Sequence, residues 1–134
     1  MKINHLGYVV RSLDKSSKFY CDNFNYSIRV EKIFVENQSV EIIMLKSAFH
    51  LDPDLELIKP VGDNSPSLNA LKRGMVLNHI AYQTPYYDNL LEKFKNKIVR
   101  PSMPAPFELF NGGRTFFAYL NGVLTEFVEE INLD

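Results

Sequence analysis

The sequence has little of what characterises secreted, membrane-spanning or nucleic-acid-binding proteins. Cys21 is the only cysteine, so no disulfide can form within the chain, and its aromatic neighbours favour a small buried hydrophobe. No apolar run follows Lys2, and none approaches the ~18 residues of a membrane span. With 15 Lys and Arg against 16 Asp and Glu, no charge excess attracts phosphate backbones or anionic lipid. We therefore expect a cytoplasmic protein without nucleic acid or membrane as partner.

The remaining composition is that of an ordinary globular domain. The chain has 134 residues, of which 46% are hydrophobic and 23% are charged. A chain of this length buries a sizeable core, and these fractions indicate neither disorder nor a fibrous protein. We expect a single domain over residues 1–134.

A duplication is visible in three matching segments. Asn4-His5-Leu6-Gly7-Tyr8 resembles Asn78-His79-Ile80-Ala81-Tyr82, and Leu55-Glu56-Leu57-Ile58 resembles Thr125-Glu126-Phe127-Val128. Each pentapeptide is followed by an amphipathic stretch of helical spacing. Three matches in the same order, at nearly the same separation, indicate two copies of a half-domain. The predicted modules cover about residues 1–60 and 76–130, with a linker at about 61–75.

Each half has the pattern of a strand, a helix and further strands. The predicted strands are Ile3–Val10, Ile28–Phe34, Val40–Lys46, Leu55–Lys59, Leu77–Gln83, Phe116–Leu120 and Val123–Val128. The predicted helices are 13–24, with Ser12 and Asp14 as caps, and 87–97; a short linker helix has Ser65 as N-cap, Pro66 at N1 and Gly74 past its end. The proline-containing region 99–114 gives no clear pattern.

Because side chains alternate along a strand, His5 shares one face of its strand with Gly7, and His79 shares one face of its strand with Ala81. The very small neighbour leaves space beside each imidazole, as a ligand site needs. Glu56 and Glu126 each stand between apolar residues, where an uncompensated carboxylate costs several kcal/mol.

A single strand histidine or glutamate is usually an ordinary surface or core residue, and His50, outside the repeat, is interpreted so. Chance residues have no reason to recur at equivalent places in both halves. We therefore predict one divalent metal ion bound by His5, Glu56, His79 and Glu126. Two imidazoles and two carboxylates without a thiolate suit Zn, Co, Ni or Mn.

Several motifs together resemble the methylmalonyl-CoA epimerase branch of the glyoxalase, or vicinal oxygen chelate, superfamily. They are His5-Leu6-Gly7-Tyr8-Val9-Val10, Leu55-Glu56-Leu57-Ile58-Lys59-Pro60, Asp63-Asn64-Ser65-Pro66, His79-Ile80-Ala81-Tyr82 and Gly122-Val123-Leu124-Thr125-Glu126-Phe127. The resemblance implies an α+β fold in which two βαβββ modules form an open, curved mixed β-sheet cavity. It also implies the same four metal ligands and puts Glu41 in proton transfer. We take Glu126 as the second candidate, both ligand and base, and a solvent-facing strand glutamate is the alternative for Glu41.

The sequence departs from that branch in places. Asn78-His79 replaces the usual His-His, Phe24-Asn25-Tyr26 replaces the Leu-Gly after the first helix, and Tyr119-Leu120-Asn121-Gly122 replaces the Asp-Pro-Asp-Gly-Tyr turn of glyoxalase I relatives. The metal ligands survive these changes, whereas the substrate is left open.

The resemblance implies an enzyme that deprotonates carbon next to a metal-bound carbonyl. The expected activity is epimerisation of a methylmalonyl-CoA-like thioester by a homodimer. Arg114 has two interpretations, a surface charge after the Asn111-Gly112-Gly113 turn or a contact to an anionic substrate tail. The alternatives are a lactoylglutathione lyase acting on a glutathione hemithioacetal, an extradiol-type dioxygenase, which Glu56 argues against, and a drug-binding protein without a metal.

Overall fold

The computed structural model describes residues 1–74 and 76–132. Within this part of the chain, none of the helices combines the length and the apolar character needed to cross a membrane. The chain divides into two compact units, one of residues His5–Asn78 and the other of residues 1–4 together with 79 onward. Each unit is described by itself.

The described residues of the first module and the linker form four strands and two α-helices. They are β1 (Lys2–Val9), α1 (Leu13–Phe24), β2 (Tyr26–Val35), β3 (Val40–Ser47), β4 (Asp54–Pro60) and α2 (Leu68–Lys72). The strands lie in the order β2-β3-β4-β1, with β1 parallel to β4 and the other neighbours antiparallel. The parallel pair is possible because α1 begins the crossover between its strands.

The second module repeats this connectivity. Its elements are β5 (Leu77–Thr84), α3 (Tyr87–Phe94), β6 (Ile98–Pro104), α4 (Phe107–Phe110), β7 (Arg114–Leu120) and β8 (Val123–Glu129). The strand order is β5-β8-β7-β6, and β5 is parallel to β8. The predicted α+β fold of two βαβββ modules is therefore confirmed.

Helix α1 begins and ends as its sequence dictates. Ser12 has extended backbone angles, and its hydroxyl accepts a hydrogen bond from the Lys15 amide (3.2 Å), which confirms the predicted cap. Asn25 ends the helix with φ of +59°, a left-handed conformation that asparagine tolerates better than most residues. Asn25 thus takes the conformation that a glycine takes at the end of many helices.

Each module has its own apolar core between helix and sheet. In the first module the buried core residues are Val10, Leu13, Ile43, Leu45, Leu55 and Leu57. In the second they are Tyr87, Phe116, Ala118 and Phe127. Leu6, Tyr8 and half-buried Cys21 pack against the first core, as the alternation of β1 predicts. The opposite face of each sheet is consequently left for other side chains.

Two parts of the structure differ from the prediction. Region 99–114, which gave no pattern, contains most of β6 and all of α4. Pro101 is tolerated because β6 is the last strand of its order, where a missing amide donor costs least. The linker helix starts at Leu68 rather than after Ser65, because the Ser65 carbonyl accepts from the Leu68 amide in a turn (3.1 Å).

A tight turn fixes the register of the last two strands. Asn121 and Gly122 both have positive φ, at +51° and +78°, which is the type I′ conformation of two-residue hairpins. The turn joins Leu120 to Val123, which are paired across the hairpin. Counting back from the turn places Phe117 opposite Glu126.

Candidate metal centre

His5 and Glu56 form a buried pair in the first module. His5 is fully buried on β1, and the Glu56 side chain on the neighbouring β4 is nearly so. The His5 Nε2 and Glu56 Oε2 atoms are 3.6 Å apart. Gly7 stands level with Glu56 in the β1–β4 register, so no side chain at that position separates the carboxylate from the imidazole.

His79 and Glu126 form the equivalent pair in the second module. Both residues are buried, on β5 and β8, with His79 Nε2 and Glu126 Oε1 separated by 3.2 Å. Ala81 stands level with Glu126 on one side, and Phe117 faces it on the other. The Phe117 ring also meets the His79 ring edge to face, with centroids 5.1 Å apart. A small neighbour and a large apolar one therefore orient the carboxylate, as Gly7 and Met44 flank Glu56.

The chemistry of these pairs fits a divalent cation. Two ligand atoms that each lie about 2.1 Å from one ion are about 3.0 Å apart at a right angle and about 3.4 Å apart at a tetrahedral angle. The two observed separations, 3.6 and 3.2 Å, are close to that range. A buried carboxylate beside a neutral imidazole leaves a negative charge that a cation compensates. Each module by itself thus offers one nitrogen and one oxygen ligand.

Comparison with known proteins identifies the family. Residues 4–119 match the family model of the Glyoxalase/Bleomycin resistance protein/Dioxygenase superfamily. The chain belongs to this superfamily. A search among curated proteins found no match for this glyoxalase-superfamily sequence.

Solved structures resemble this glyoxalase-superfamily chain over nearly its whole length. Methylmalonyl-CoA epimerase from Mycobacterium tuberculosis is 19% identical with a TM-score of 0.83, covering 98% of this chain and 89% of that one. A Streptomyces coelicolor methylmalonyl-CoA epimerase variant in complex with 2-nitronate-propionyl-CoA is 22% identical, with a TM-score of 0.78 and coverages of 98% and 99%. A hypothetical protein from Bacillus halodurans is 20% identical, with a TM-score of 0.81 and coverages of 99% and 96%. At these identities the likeness shows the fold.

Glu41, the second predicted proton-transfer residue, is not brought to the His5–Glu56 pair by its strand register. Met44 of β3 faces Glu56 of β4, whereas Glu41 faces Lys59 in the same uninterrupted register. Since side chains alternate between the two faces of a strand, Glu41 shares the face of Ile43, which belongs to the helix-side core. Ile42 has the position on the face of Glu56. The catalytic role of Glu41 therefore lacks support from the strand geometry.

Arg114 is held by carboxylates of its own module rather than left open for a substrate. Its Nε donates to Glu129 Oε2 (3.0 Å) and its NH2 group donates to Asp88 Oδ1 (3.1 Å). The guanidinium also lies over the Tyr87 ring, 4.6 Å from its centroid. The hydrogen bonds from Arg114 lower the pKa of the Glu129 carboxyl. These contacts favour a structural role over both earlier interpretations, a simple surface charge and a contact to an anionic substrate tail.

Sequence reasoning gave no role to Arg100 and Phe117. The Arg100 guanidinium carbon lies 5.2 Å from the centroid of the Phe117 ring, on the strand pair β6–β7. Arg100 is in the proline-containing region, where no strand was predicted and hence no register could be derived. His50, interpreted as an ordinary residue, lies exposed in a turn.

The Arg114 contacts predict a pH-dependent contribution to stability. Replacing Arg114 with Gln should lower the free energy of unfolding by about 1 kcal/mol at pH 7, since both partners are partly exposed. Because the folded-state pKa of Glu129 is lowered, this stabilisation is present above the unfolded pKa and is lost as pH falls through the folded value. Urea unfolding at pH 7 and pH 3 measures the difference.

The control is the exposed Lys18–Asp22 pair on α1. Lys18→Gln should leave the free energy of unfolding unchanged within the error of the measurement at either pH. An Arg114→Gln effect that is equally large at pH 3 and pH 7 would contradict the assignment to a charged Glu129.

Proposed function

We propose that this chain is a metal-dependent enzyme that removes a proton from a carbon next to a carbonyl group, with a methylmalonyl-CoA-like acyl thioester as substrate. The observation that carries the proposal is the buried His–Glu pair, repeated at equivalent positions in both modules. Each pair offers a cation one nitrogen and one oxygen ligand, and superfamily membership supplies a reason for binding one. A divalent cation, when bound, polarises a carbonyl oxygen and stabilises the negative charge that deprotonation creates.

The proposal assigns all four residues to one ion. Two carboxylates cancel the charge of one divalent cation, whereas one carboxylate per ion would leave net charge buried in each module.

This assignment predicts a metal stoichiometry close to one per chain. His5→Ala and His79→Ala should each release the ion, because removing one ligand leaves the others without the partner around which they were oriented. Metal analysis of the purified protein, followed by titration with Co or Zn, measures this.

Two ions per chain, with each variant losing only one, would mean that each module has its own site. Full occupancy in both variants would refute the ligand assignment. As a matched control, His50→Ala removes an exposed imidazole and should leave the metal content unchanged.

Proton transfer between two faces of a carbon needs two groups that alternate as base and acid. We assign Glu126 as one of them, and Glu56 as the second. Glu56 is the equivalent residue of the first module and is also buried beside an imidazole. With a divalent ion bound, Glu56 and Glu126 would help to hold it, and a carboxylate not engaged with the ion would serve as the base. Glu41 remains the alternative second group implied by the family resemblance, and the β3–β4 register is the observation against it.

Three glutamine variants distinguish these assignments. Glu126→Gln and Glu56→Gln should lower turnover by roughly 100- to 10,000-fold, as expected for loss of a general base. Both should also weaken metal binding, because an amide does not offset the charge of a divalent ion. Glu41→Gln should retain turnover within about twofold and full metal content. A large rate loss in Glu41→Gln with the metal retained would restore Glu41 as the second group.

The substrate class is tested by isotope exchange. In deuterated water, the metal-loaded protein should exchange the α-hydrogen of methylmalonyl-CoA, because deprotonation and return of a solvent proton occur at that carbon. The support for this thioester is the likeness to methylmalonyl-CoA epimerases together with the motifs shared with that branch. Exchange is followed by mass spectrometry, with the protein stripped of metal as control.

Turnover of the hemithioacetal of methylglyoxal and glutathione, without exchange of the thioester, would replace this proposal with a lactoylglutathione lyase. A protein that binds neither Co nor Zn would instead support a drug-binding protein. The predicted homodimer stays a prediction.

A further inference from the structure

We propose that Arg100 binds a carboxylate group of the substrate, an inference that rests on the proposed function and specifies its substrate class further. Arg100 of β6 is in register with Phe117 of β7, and Phe117 is in register with Glu126 of β8. Residues in register share one face of a sheet. Arg100 therefore belongs to the face that carries Glu126, at two strands' distance.

Phe117 connects the guanidinium to the imidazole of His79. The Arg100 guanidinium carbon is 5.2 Å from the Phe117 ring centroid, and that centroid is 5.1 Å from the centroid of the His79 ring. The distance from the Arg100 guanidinium carbon to the centroid of the His79 ring is therefore at most the sum of these two distances. Phe117 is only 5% exposed, so packing holds the ring that lies between the guanidinium and the imidazole. One substrate molecule can reach both groups.

Charge explains what such a substrate must carry. A guanidinium on the same face as a divalent cation repels that cation and weakens its binding. An anion between the two positive groups turns this repulsion into attraction on both sides. The planar guanidinium matches a carboxylate through two parallel hydrogen bonds, and its stacking on an aromatic ring presets its orientation. The arrangement favours an acyl group that bears a carboxylate besides its carbonyl.

A competing explanation is that Arg100 only compensates the charge of Glu126. Both explanations predict that Arg100→Met leaves the fold intact and does not weaken metal binding. They differ in what they predict for anion binding. If Arg100 only compensates the charge of Glu126, its removal should not lower the affinity for anions. Binding of small carboxylates, measured apart from turnover, therefore separates them.

The experiment is calorimetric titration of the metal-loaded protein with malonate, with monomethyl malonate and with glutathione. Arg100→Met should weaken malonate binding about tenfold or more, as expected for loss of a charge-assisted pair of hydrogen bonds. Arg100→Lys should give an intermediate loss, since an ammonium lacks the planar fork. Arg11→Met removes an exposed arginine of the first module and should change binding less than about twofold.

The three titrated compounds distinguish an acyl carboxylate from a peptide carboxylate as the group that Arg100 binds. Arg100-dependent binding of malonate and of monomethyl malonate, each of which has a free carboxylate besides a second carbonyl, supports a carboxylate on the acyl group. Arg100-dependent binding of glutathione alone would assign the residue to a peptide carboxylate and overturn the acyl assignment. Equal malonate binding by wild type and Arg100→Met overturns the proposal even if the protein binds metal and exchanges methylmalonyl-CoA. Failure of metal binding, in contrast, contradicts the proposed function. Even then, malonate binding by the metal-free protein that depends on Arg100 would support the role of Arg100.

Discussion

The structure depends on a carboxylate that is buried against an imidazole once in each module. Burial of an uncompensated carboxylate costs several kcal/mol, which a folded domain of this size tolerates only where the charge has a counterpart. Glu56 lies on β4 and Glu126 on β8, the strands that pair in parallel with the histidine strands β1 and β5. Each glutamate is level with a residue too small to fill the space beside it. The absent side chain of Gly7 and the small side chain of Ala81 therefore leave space beside each imidazole.

Much of this arrangement could be predicted because the duplication is visible in the sequence. The alternation of small and polar residues after His5 and His79 indicates which face they share, and the helix cap at Ser12 is local chemistry. The pairing of histidine with glutamate required only that matching strands lie side by side. Sequence reasoning succeeds here because a recurring pattern constrains the interpretation of each residue far more than a single occurrence does.

Strand register could not be predicted, and it decides the roles of individual residues. A shift of one residue moves a side chain to the opposite face of a sheet. A family resemblance assigned proton transfer to Glu41, yet the register with β4 gives the face of Glu56 to Ile42. Arg100 was missed for the related reason that the bulge between Arg100 and Met103, next to Pro101, hides the alternation of β6.

The duplication itself explains the position of Glu41. Met44 and Phe117 are equivalent, since each faces the buried glutamate of its module. Glu41 and Arg114 lie three residues before them. Glu41 faces Lys59, whereas Arg114 forms an ion pair with Glu129 near the helix α3 residue Asp88. The same cross-strand position thus has opposite charges in the two copies. Such a reversal is compatible with a position that requires an oppositely charged neighbour on the helix side of its sheet.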